Sequence, residues 1–537
     1  MGIDFRLIPQ LREQPDVPIL SKDVRSFRMG VNNKSHPIAL EDTEAVQIVN
    51  YLLKQGAMAE RRSGTTNVMN AVEPIAGESY GLGYWNPPDS PPIRKLFSAT
   101  AEGFWSWDGS GTWTRLTGGA PVGTEPVILV QATRTDPTFE NVSYIIQKDS
   151  DQVLEWKGGA AVTTVSGGAS GSLSSIPSCK DGLSWLGRLW VAEDKEFNGY
   201  IRYSEFGKPT NFDLGFGFLI SPEDELVRMV QWFNAGILCF FRNSIWVLGI
   251  DQANFGIEFF DNTQIETLNY DIGCVARNAV AQAGQDFFFL SRFGVHRLSK
   301  TTQDMAIGLS VPISDKIETI IDRINWPYAD KASAVVWDNF YMLAVPIDSS
   351  QVNNIVLVYD LRDGAWTTIE GWNPADWQLA HFDFDEDKLY FATSSVTGEG
   401  KVYEALDEVT GTDDGVDVTA TIDTPRYDFG TTSQRKQFRW IDVFTDGSIG
   451  GDLTVYVATE NNVFQSLGTI TISPSVPVLP QILPFNLADT NLQRDRFYLD
   501  GLGHPTDIQF RFESIGDDLI RILYFTIDAH GSETEYS

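Results

Sequence analysis

Short strand-like segments rich in aromatic and β-branched residues recur in pairs from about Gly103 onward, each pair joined by a polar or glycine-bearing turn. The aromatic residues that close the first four pairs, Trp113, Trp156, Tyr203 and Trp246, lie 43, 47 and 43 residues apart. This period is close to the roughly 40 to 50 residues of a four-stranded propeller blade. The sequence therefore predicts an all-β fold with a six- or seven-bladed β-propeller, and a large β-sandwich remains the competing architecture.

Changes in pattern along the chain predict three domains. Residues 1–75 are expected to form an N-terminal arm, residues 76–410 the propeller, and residues 411–537 a C-terminal β-sandwich built from alternating strands. An insertion near 312–326 carries isoleucines at helical spacing after Ser314, which predicts a short helix inside the propeller.

The N-terminal arm is also predicted to contain a short helix. Asp42 or Thr43 can cap it, and its apolar face would consist of Ala45, Ile48, Val49 and Leu52.

The chain is strongly acidic, with 72 Asp and Glu against 40 Lys and Arg and a formal net charge of −32. A surface that wraps nucleic acid needs Lys and Arg to replace the phosphate counterions, so the charge argues against such binding. Two interpretations stay open: the acidity confers solubility alone, or it has an electrostatic role.

The three cysteines, Cys179, Cys239 and Cys274, include no CxxC pair and predict reduced thiols rather than a disulfide framework or a zinc site. Met1 to Gln10 lacks the pattern of a signal peptide, and no apolar run is long enough for a membrane span. We expect a protein made and assembled in the cytoplasm, without membrane insertion.

One segment suggests carbohydrate chemistry. Ser106 to Trp113 is similar to the Asp box of sialidases and other propeller glycosidases, although Ser110 stands where that box has glycine. In those proteins the box stabilises a turn, so the match indicates fold rather than catalysis.

The other candidate sites also have structural interpretations. Tyr359 to Trp366 is similar to a kelch-type turn that leads into a packed tryptophan, and the acidic run Asp383 to Asp387 suits either calcium or a solvated hairpin turn. The five histidines are scattered without zinc-ligand spacing: His36, His296, His381, His504 and His530. We predict no catalytic residue, no cofactor and no metal site.

Several segments, taken in order, resemble the propeller proteins of phage tails, namely the tail-hub, packaged-DNA stabilisation and nozzle proteins of short-tailed bacteriophages. The resemblance extends over residues 25 to 300 and is looser in the C-terminal region. The segments that carry it are Gly30–Leu40, Glu60–Gly64, Arg202–Asp213, Leu238–Gly249, Gly273–His296 and, in the C-terminal region, Arg435–Trp440.

This resemblance implies a structural virion protein rather than an enzyme. The expected protein forms a homo-oligomeric ring, typically a hexamer, in the phage tail below the portal or adaptor. It would contact tail fibre or spike proteins and pass genomic DNA without sequence-specific binding. An acidic channel wall would let DNA slide, because it cannot hold phosphates.

Two alternatives remain from the residues themselves. A receptor- or glycan-binding virion protein would need aromatic residues on an open face. A propeller glycosidase would need two carboxylates at hydrolytic separation inside one pocket.

Overall fold

The prediction of an all-β fold is confirmed by the computed structural model, whose described residues lie mostly in short antiparallel strands. The structure describes residues 19–54, 58–69, 78–88, 94–135, 138–148, 150, 152–165, 176–193, 199–233, 236–249, 263–299, 311–382, 387–394, 400–447, 450–461, 463–472 and 492–531.

The chain forms two compact units. We call Arg62–Val418 the ring unit, and Met1–Arg61 together with Thr419–Ser537 the terminal unit. The first and last described segments of the sequence, 19–54 and 492–531, therefore belong to the same unit.

Seven groups of three or four strands, here called sheets, make up the strands in the described part of the ring unit. In chain order the first four are Ser79–Trp85, Lys95–Thr100, Gly103–Trp107 and Thr114–Arg115; Val127–Arg134, Glu140–Gln147, Leu154–Trp156 and Val162–Thr164; Cys179–Trp185, Arg188–Glu193, Tyr200–Glu205 and Lys208–Leu219; and Leu226–Trp232, Gly236–Phe241, Ile245–Gly249 and Gln264–Asn269. The last three are Ala281–Ala283, Asp286–Ser291 and Gly294–Ser299; Ser333–Trp337, Phe340–Val345, Ile355–Asp360 and Ala365–Glu370; and Pro374–Ala380, Lys388–Thr393, Val402–Asp407 and Gly64–Asn67.

The first strands pack against one another from the first sheet to the fourth and from the fifth sheet to the seventh, and the first strand of the seventh sheet contacts that of the first sheet. An apolar cluster that includes Leu238 and Phe289 joins the fourth and fifth sheets. The sheets consequently close into a ring with the first strands innermost. The seventh sheet is completed by Gly64–Asn67, which pairs with Val402–Asp407 from the other end of the unit.

Apolar clusters between neighbouring sheets hold this ring together. One cluster joins Phe97 and Phe104 of the first sheet to Ile145 and Trp156 of the second, and another joins Leu82 of the first sheet to Tyr390 of the seventh. Second strands such as Gly236–Phe241 and Phe340–Val345 are buried on both faces, which explains why they read as runs of aromatic and aliphatic residues.

Short helical segments occur between the fifth and sixth sheets. They are Asp315–Ile317, Glu318–Ile321 and Trp326–Lys331, and Ile317, Ile320 and Ile321 are buried. Other single turns of 3-10 helix lie at Pro37–Ala39, Arg277–Ala279 and Asp500–Leu502. Within the described ranges no helix has the length and apolar character needed to cross a membrane.

The terminal unit contains two larger groups of strands. The first is a six-stranded sheet of Leu492–Tyr498, Lys436–Asp446, Arg521–Gly531, Ala59–Arg61, Tyr51–Leu52 and Ile19–Val24. The second comprises Gln47–Val49, Val418–Asp423, Gln509–Gly516, Gly451–Ala458 and Gln465–Ile472, and Gly30–Val31 pairs separately with Glu44–Ala45. Phe525 of the first group packs against Phe510 and Phe512 of the second, which places the core between them.

The prediction of a short helix in the N-terminal arm is wrong. Ala45, Ile48, Val49 and Leu52 lie instead in the strands Glu44–Ala45, Gln47–Val49 and Tyr51–Leu52. The physical reason is long-range pairing: Ile48 faces Ile422, and Asn50, with a φ of +58°, interrupts the backbone between two strands.

The expected domain boundaries also differ from the two units. Residues 19–54 and 58–61 belong with the C-terminal strands rather than to a separate arm, and residues 64–67 belong to the seventh sheet of the ring unit. Strand pairing between distant parts of the chain leaves no local signal, so sequence pattern could not place these segments.

The aromatic markers are equivalent in three of the four repeats. Trp156, Tyr203 and Trp246 lie on third strands, whereas Trp113 lies in the turn before a fourth strand. Trp105 and Trp107 occupy the third strand of the first sheet.

Candidate functional site

Four of the innermost strands of the ring unit share a β-bulge near their start. The register shifts before Gly81, Asp181, Arg228 and Asp376. A bulge re-aims the side chain at that position, so equivalent residues of four sheets are turned out of the normal strand alternation.

The polar residues at these bulges bind the next sheet of the ring. Asp181 accepts a hydrogen bond from the backbone N–H of Met229 at 2.5 Å, and Asp376 accepts one from the backbone N–H of Leu82 at 2.9 Å. Arg228 donates to the carbonyl oxygens of residues 277 and 280, both at 3.0 Å. We call Asp181, Arg228 and Asp376 the clip residues, because each joins two neighbouring sheets.

The equivalent glycine shows how closely the sheets approach. A Cβ atom at Gly81 would lie 2.1 Å from the carbonyl oxygen of Val127 in the second sheet. Since no side chain fits there, this junction is made by backbone contact instead.

Burial and charge at the clip residues shift their pKa values. Burial, together with the neighbouring Arg277, lowers the pKa of Arg228 to about 10. Burial raises the pKa of Asp376, although its oxygens accept the N–H groups of Leu82 and Trp377. Arg277 in turn donates to the Asp181 carboxylate at 3.0 Å. The carboxylates are therefore engaged in bonds that hold the ring, which differs from the free nucleophile that hydrolysis requires.

A cavity of about 220 Å³ lies at one end of the innermost strands, where several sheets begin. We call it the mouth cavity. Its charged lining consists of Glu78, Glu125, Lys148, Lys180, Glu225, Arg242, Arg277, Asp330 and Lys331. A second space of about 420 Å³ between the inner strands is lined by Arg228, Asp376 and apolar residues including Leu129.

Opposite charges form ion pairs in the lining of the mouth cavity. Glu225 lies 3.7 Å from the ammonium groups of Lys148 and Lys180 and 3.3 Å from Arg242, and Lys331 lies 3.0 Å from Glu78. Burial alone would raise the pKa of Glu225, but the three cations outweigh it and lower this pKa. The charges of the mouth thus largely compensate one another, since four carboxyl groups lie among five basic groups.

The segment similar to an Asp box forms a turn. Asp108 accepts hydrogen bonds from the backbone N–H of Ser110 at 3.1 Å and from its hydroxyl at 3.2 Å. Trp107 stacks on Trp113 with ring centroids 5.8 Å apart. These contacts fix the local backbone, and the segment contributes no residue to the mouth cavity.

The kelch-like segment forms a hairpin in the sixth sheet. Tyr359 packs on Trp366 at 4.8 Å, Arg362 binds Asp360, and Gly364 takes the left-handed φ of +71° that the turn requires. Most of the acidic run Asp383 to Asp387 lies outside the described residues; Asp387 itself is 2.9 Å from the ring of His381.

The histidines are dispersed in the fold and have separate partners. His36 accepts a hydrogen bond from the N–H of Ile38, the buried His296 stacks on Phe289, and His530 contacts Arg439. Within the described ranges, no three His, Cys, Asp or Glu side chains are arranged to hold a metal ion.

All three cysteines are buried and outside any disulfide. Burial raises the pKa of Cys274 to about 12 and that of Cys239 further, which keeps both thiols protonated and unreactive.

The clip residues and the mouth cavity were not predicted from the sequence. Asp181 and Asp376 each stand near the start of a strand, where a polar residue reads as part of a turn. A usable signal is the recurrence of a charged residue at the third position of the first strand, in Cys179-Lys-Asp, Leu226-Val-Arg and Pro374-Ala-Asp.

No family model matches the chain, and no curated protein matches it. Among solved structures, the chain is similar to BBS1N in a complex with ARL6DN, with 11% identity, a TM-score of 0.38, and coverage of 64% of this chain and 97% of that chain. It is similar to a luciferin-regenerating enzyme, with 10% identity, a TM-score of 0.31, and coverage of 63% and 94%. It is also similar to an exo-β-1,3-galactanase from Phanerochaete chrysosporium, with 9% identity, a TM-score of 0.27, and coverage of 87% and 100%.

Proposed function

We propose that the chain is a structural protein of a bacteriophage tail that forms a ring below the portal or its adaptor and lines the DNA exit channel. In this proposal the seven sheets of the ring unit are the blades of a seven-bladed β-propeller, and the terminal unit is a β-sandwich. The protein would help to retain and release packaged DNA, contact fibre or spike proteins, and carry no catalytic residue.

The observation that carries the proposal is where the segments resembling tail-hub and nozzle proteins fall. Arg202–Asp213 lies on the third sheet, Leu238–Gly249 on the fourth, and Gly273–His296 on the fifth. The resemblance therefore follows consecutive repeats of the fold, which supports a shared architecture more than isolated matches would.

The basic segment Glu60–Gly64 also has a structural role. Arg61 is buried in the terminal unit and donates to the carbonyl oxygens of Gly516 and Asp518. Arg62 is buried in the ring unit, where it binds Asp413 at 2.6 and 3.0 Å and lies 4.5 Å above the ring of Trp372. Both guanidinium groups are engaged within the fold, so neither is presented to DNA phosphates.

The clip residues support a stiff wall rather than a hydrolytic centre. A glycosidase needs one carboxyl group positioned to protonate the leaving oxygen and a second that is free to act as a base or nucleophile. Asp181 and Asp376 instead accept backbone N–H groups of adjoining sheets. These hydrogen bonds join neighbouring sheets of the ring unit.

The net charge of −32 suits a channel that DNA passes without binding. Acidic residues on the channel wall would repel phosphates and leave the polymer free to slide. This part of the proposal requires carboxylates on the face of the assembled ring that meets DNA.

Glycan or receptor binding is the second candidate function, and the mouth cavity favours it. Tyr80 lies in its lining beside Glu78, and a tyrosine ring next to a carboxylate offers both a stacking surface and a hydrogen-bond acceptor for a sugar.

Native mass spectrometry and electron microscopy of the purified full-length chain, alone and mixed with its portal complex, test the proposal. We expect a closed ring, sixfold in the simplest case, that docks under the portal. The variant Glu78→Gln should assemble in the same way, because it changes only the mouth. The alternative outcome is a chain that stays monomeric, does not bind the portal complex, and binds or cleaves glycans. If Glu78→Gln abolishes that glycan binding or cleavage, glycan binding replaces the proposed function.

A further inference from the structure

The strand Leu492–Tyr498 lies at the edge of the six-stranded sheet in the terminal unit. Among the described strands it pairs on one side only, with Lys436–Asp446. The residues exposed along it are Leu492, Arg494, Arg496 and Tyr498, which alternate with less exposed neighbours and so share one side of the sheet.

Aromatic and acidic residues of the neighbouring strand lie on the same side. The register places Trp440 opposite Tyr498, Asp442 opposite Arg496, and Phe444 opposite Arg494. We call Trp440, Phe444, Arg494, Arg496 and Tyr498 the arginine–aromatic face.

The side chains of this face are held in place before any partner binds. The Asp442 carboxylate accepts hydrogen bonds from Arg494 at 2.6 Å and from Arg496 at 2.7 and 2.8 Å. The guanidinium of Arg496 also lies 4.4 Å above the ring of Trp440. Such preorganisation lowers the entropy that binding would cost.

The charge that this face presents to solvent is positive. The side chain of Asp442 is 4% exposed, whereas those of Arg494 and Arg496 are 52% and 34% exposed. Trp, Tyr and Arg are also the residue types most enriched where protein interfaces gain their binding energy.

We propose that the arginine–aromatic face binds an acidic surface of a second copy of this chain. The charge of the chain identifies the occupant: 72 acidic residues against 40 basic ones make another copy a complementary partner. This inference rests on the proposed ring-forming function and adds the contact by which the ring is built.

The same charge argument determines the symmetry of the contact. Two arginine–aromatic faces would repel each other in a two-fold dimer, whereas one such face against a different, acidic surface gives a head-to-tail contact. Head-to-tail contacts produce closed rings when the rotation between copies closes.

The first test is the double variant Leu492→Glu/Tyr498→Glu in the full-length chain, because both side chains are exposed and the Arg–Asp442 pairs stay intact. Sedimentation velocity over a concentration and salt series measures self-association. We expect the wild type to associate more weakly as salt rises, and the variant to associate at least about tenfold more weakly than the wild type. The matched control, Val463→Glu/Ile515→Glu, changes two other exposed apolar residues of the terminal unit and should associate like the wild type.

A second variant and a second readout keep the test decisive. Arg494→Gln/Arg496→Gln should weaken association and remove most of its salt dependence. The backbone amides of Leu492–Tyr498 should exchange more slowly in the wild-type assembly than in the monomer.

Three outcomes separate this inference from the proposed function. If both double variants associate as strongly as the wild type, and the protein still forms the ring that docks to the portal, this inference is overturned and the proposed function stands. A wild-type chain that stays monomeric even with the portal complex would instead overturn the proposed function. Protection of these amides by a short DNA duplex, with none on self-association, would assign the face to nucleic acid and overturn the inference as well.

Discussion

Buried carboxylates have opposite surroundings in the two units. In the ring unit, Asp181 is 1% exposed and binds the backbone of an adjoining sheet and the partly buried Arg277. In the terminal unit, Asp442 is 4% exposed but binds two arginines whose heads reach solvent. The first arrangement fixes one element of the fold against another, whereas the second fixes the direction of groups on a surface. A buried carboxylate can therefore either stiffen the fold or orient surface side chains. Which of the two it does depends on whether its partner is itself buried or reaches solvent.

The largest effect that would sharpen this comparison is expected from Asp181→Ala. The substitution leaves the Met229 N–H without its acceptor and removes the carboxylate that neutralises Arg277 beside the buried Arg228. Breaking a buried pair in this way costs about 3 to 5 kcal/mol, so guanidinium unfolding of the ring unit should begin at clearly lower denaturant. The control Asp348→Asn removes the charge from the exposed pair with Arg323, keeps a residue type that tolerates the left-handed φ of +60° at this position, and should leave the midpoint unchanged. Equal unfolding midpoints for the two variants would show that Asp181 does not stabilise the contact between its two neighbouring sheets.

A smaller effect is expected from Asp442→Ala in the terminal unit. Burial alone would raise the pKa of Asp442, but hydrogen bonds from Arg496 and Arg494 outweigh it and lower this pKa. Because both arginines can turn to water when the carboxylate is removed, the loss of stability should be about 1 kcal/mol. Chemical denaturation measures it, and a loss as large as that of Asp181→Ala would break the distinction between the two arrangements.

The smallest effect is a pH dependence at the mouth cavity. The pKa of Glu225 is lowered in the folded chain, so its ionised form contributes stability above the unfolded pKa of about 4.5, and this contribution disappears as pH falls through the lowered value. Because the side chain is 36% exposed, the contribution should stay below about 1 kcal/mol. Unfolding midpoints of wild type and Glu225→Gln should therefore differ at pH 7 and converge toward pH 3. A difference that grows on acidification would contradict the assignment.

Much of the ring unit could be predicted from sequence because its information is local. Runs such as Asp286–Ser291 and Gly294–Ser299 carry their own strand pattern and turn, and the period of the aromatic residues follows from one repeat after another. The marker that failed, Trp113, sits in a turn, where an aromatic residue stacks on Trp107 without marking the same strand position.

The terminal unit and the candidate site could not be predicted in the same way. Tyr51–Leu52 and Ala59–Arg61 become strands because the far end of the chain supplies Arg521–Gly531 as a partner. The mouth cavity likewise collects side chains from several sheets, and each of them reads in isolation as an ordinary charged residue near a turn. Contacts of this kind depend on closure of the ring, which local pattern does not encode.

The pairing of Gly64–Asn67 with Val402–Asp407 has a consequence for biosynthesis. The early strand leaves the ribosome long before its partner exists, so the ring stays open until more than three hundred further residues have been made. The terminal unit waits longer still, since its sheet needs Arg521–Gly531. A chain truncated before Val402–Asp407 would therefore keep unsatisfied strand edges in both units, and such edges are recognised by chaperones and proteases. The six-stranded sheet can form only after Arg521–Gly531 has been made, so the topology couples folding of the terminal unit to the synthesis of that late strand.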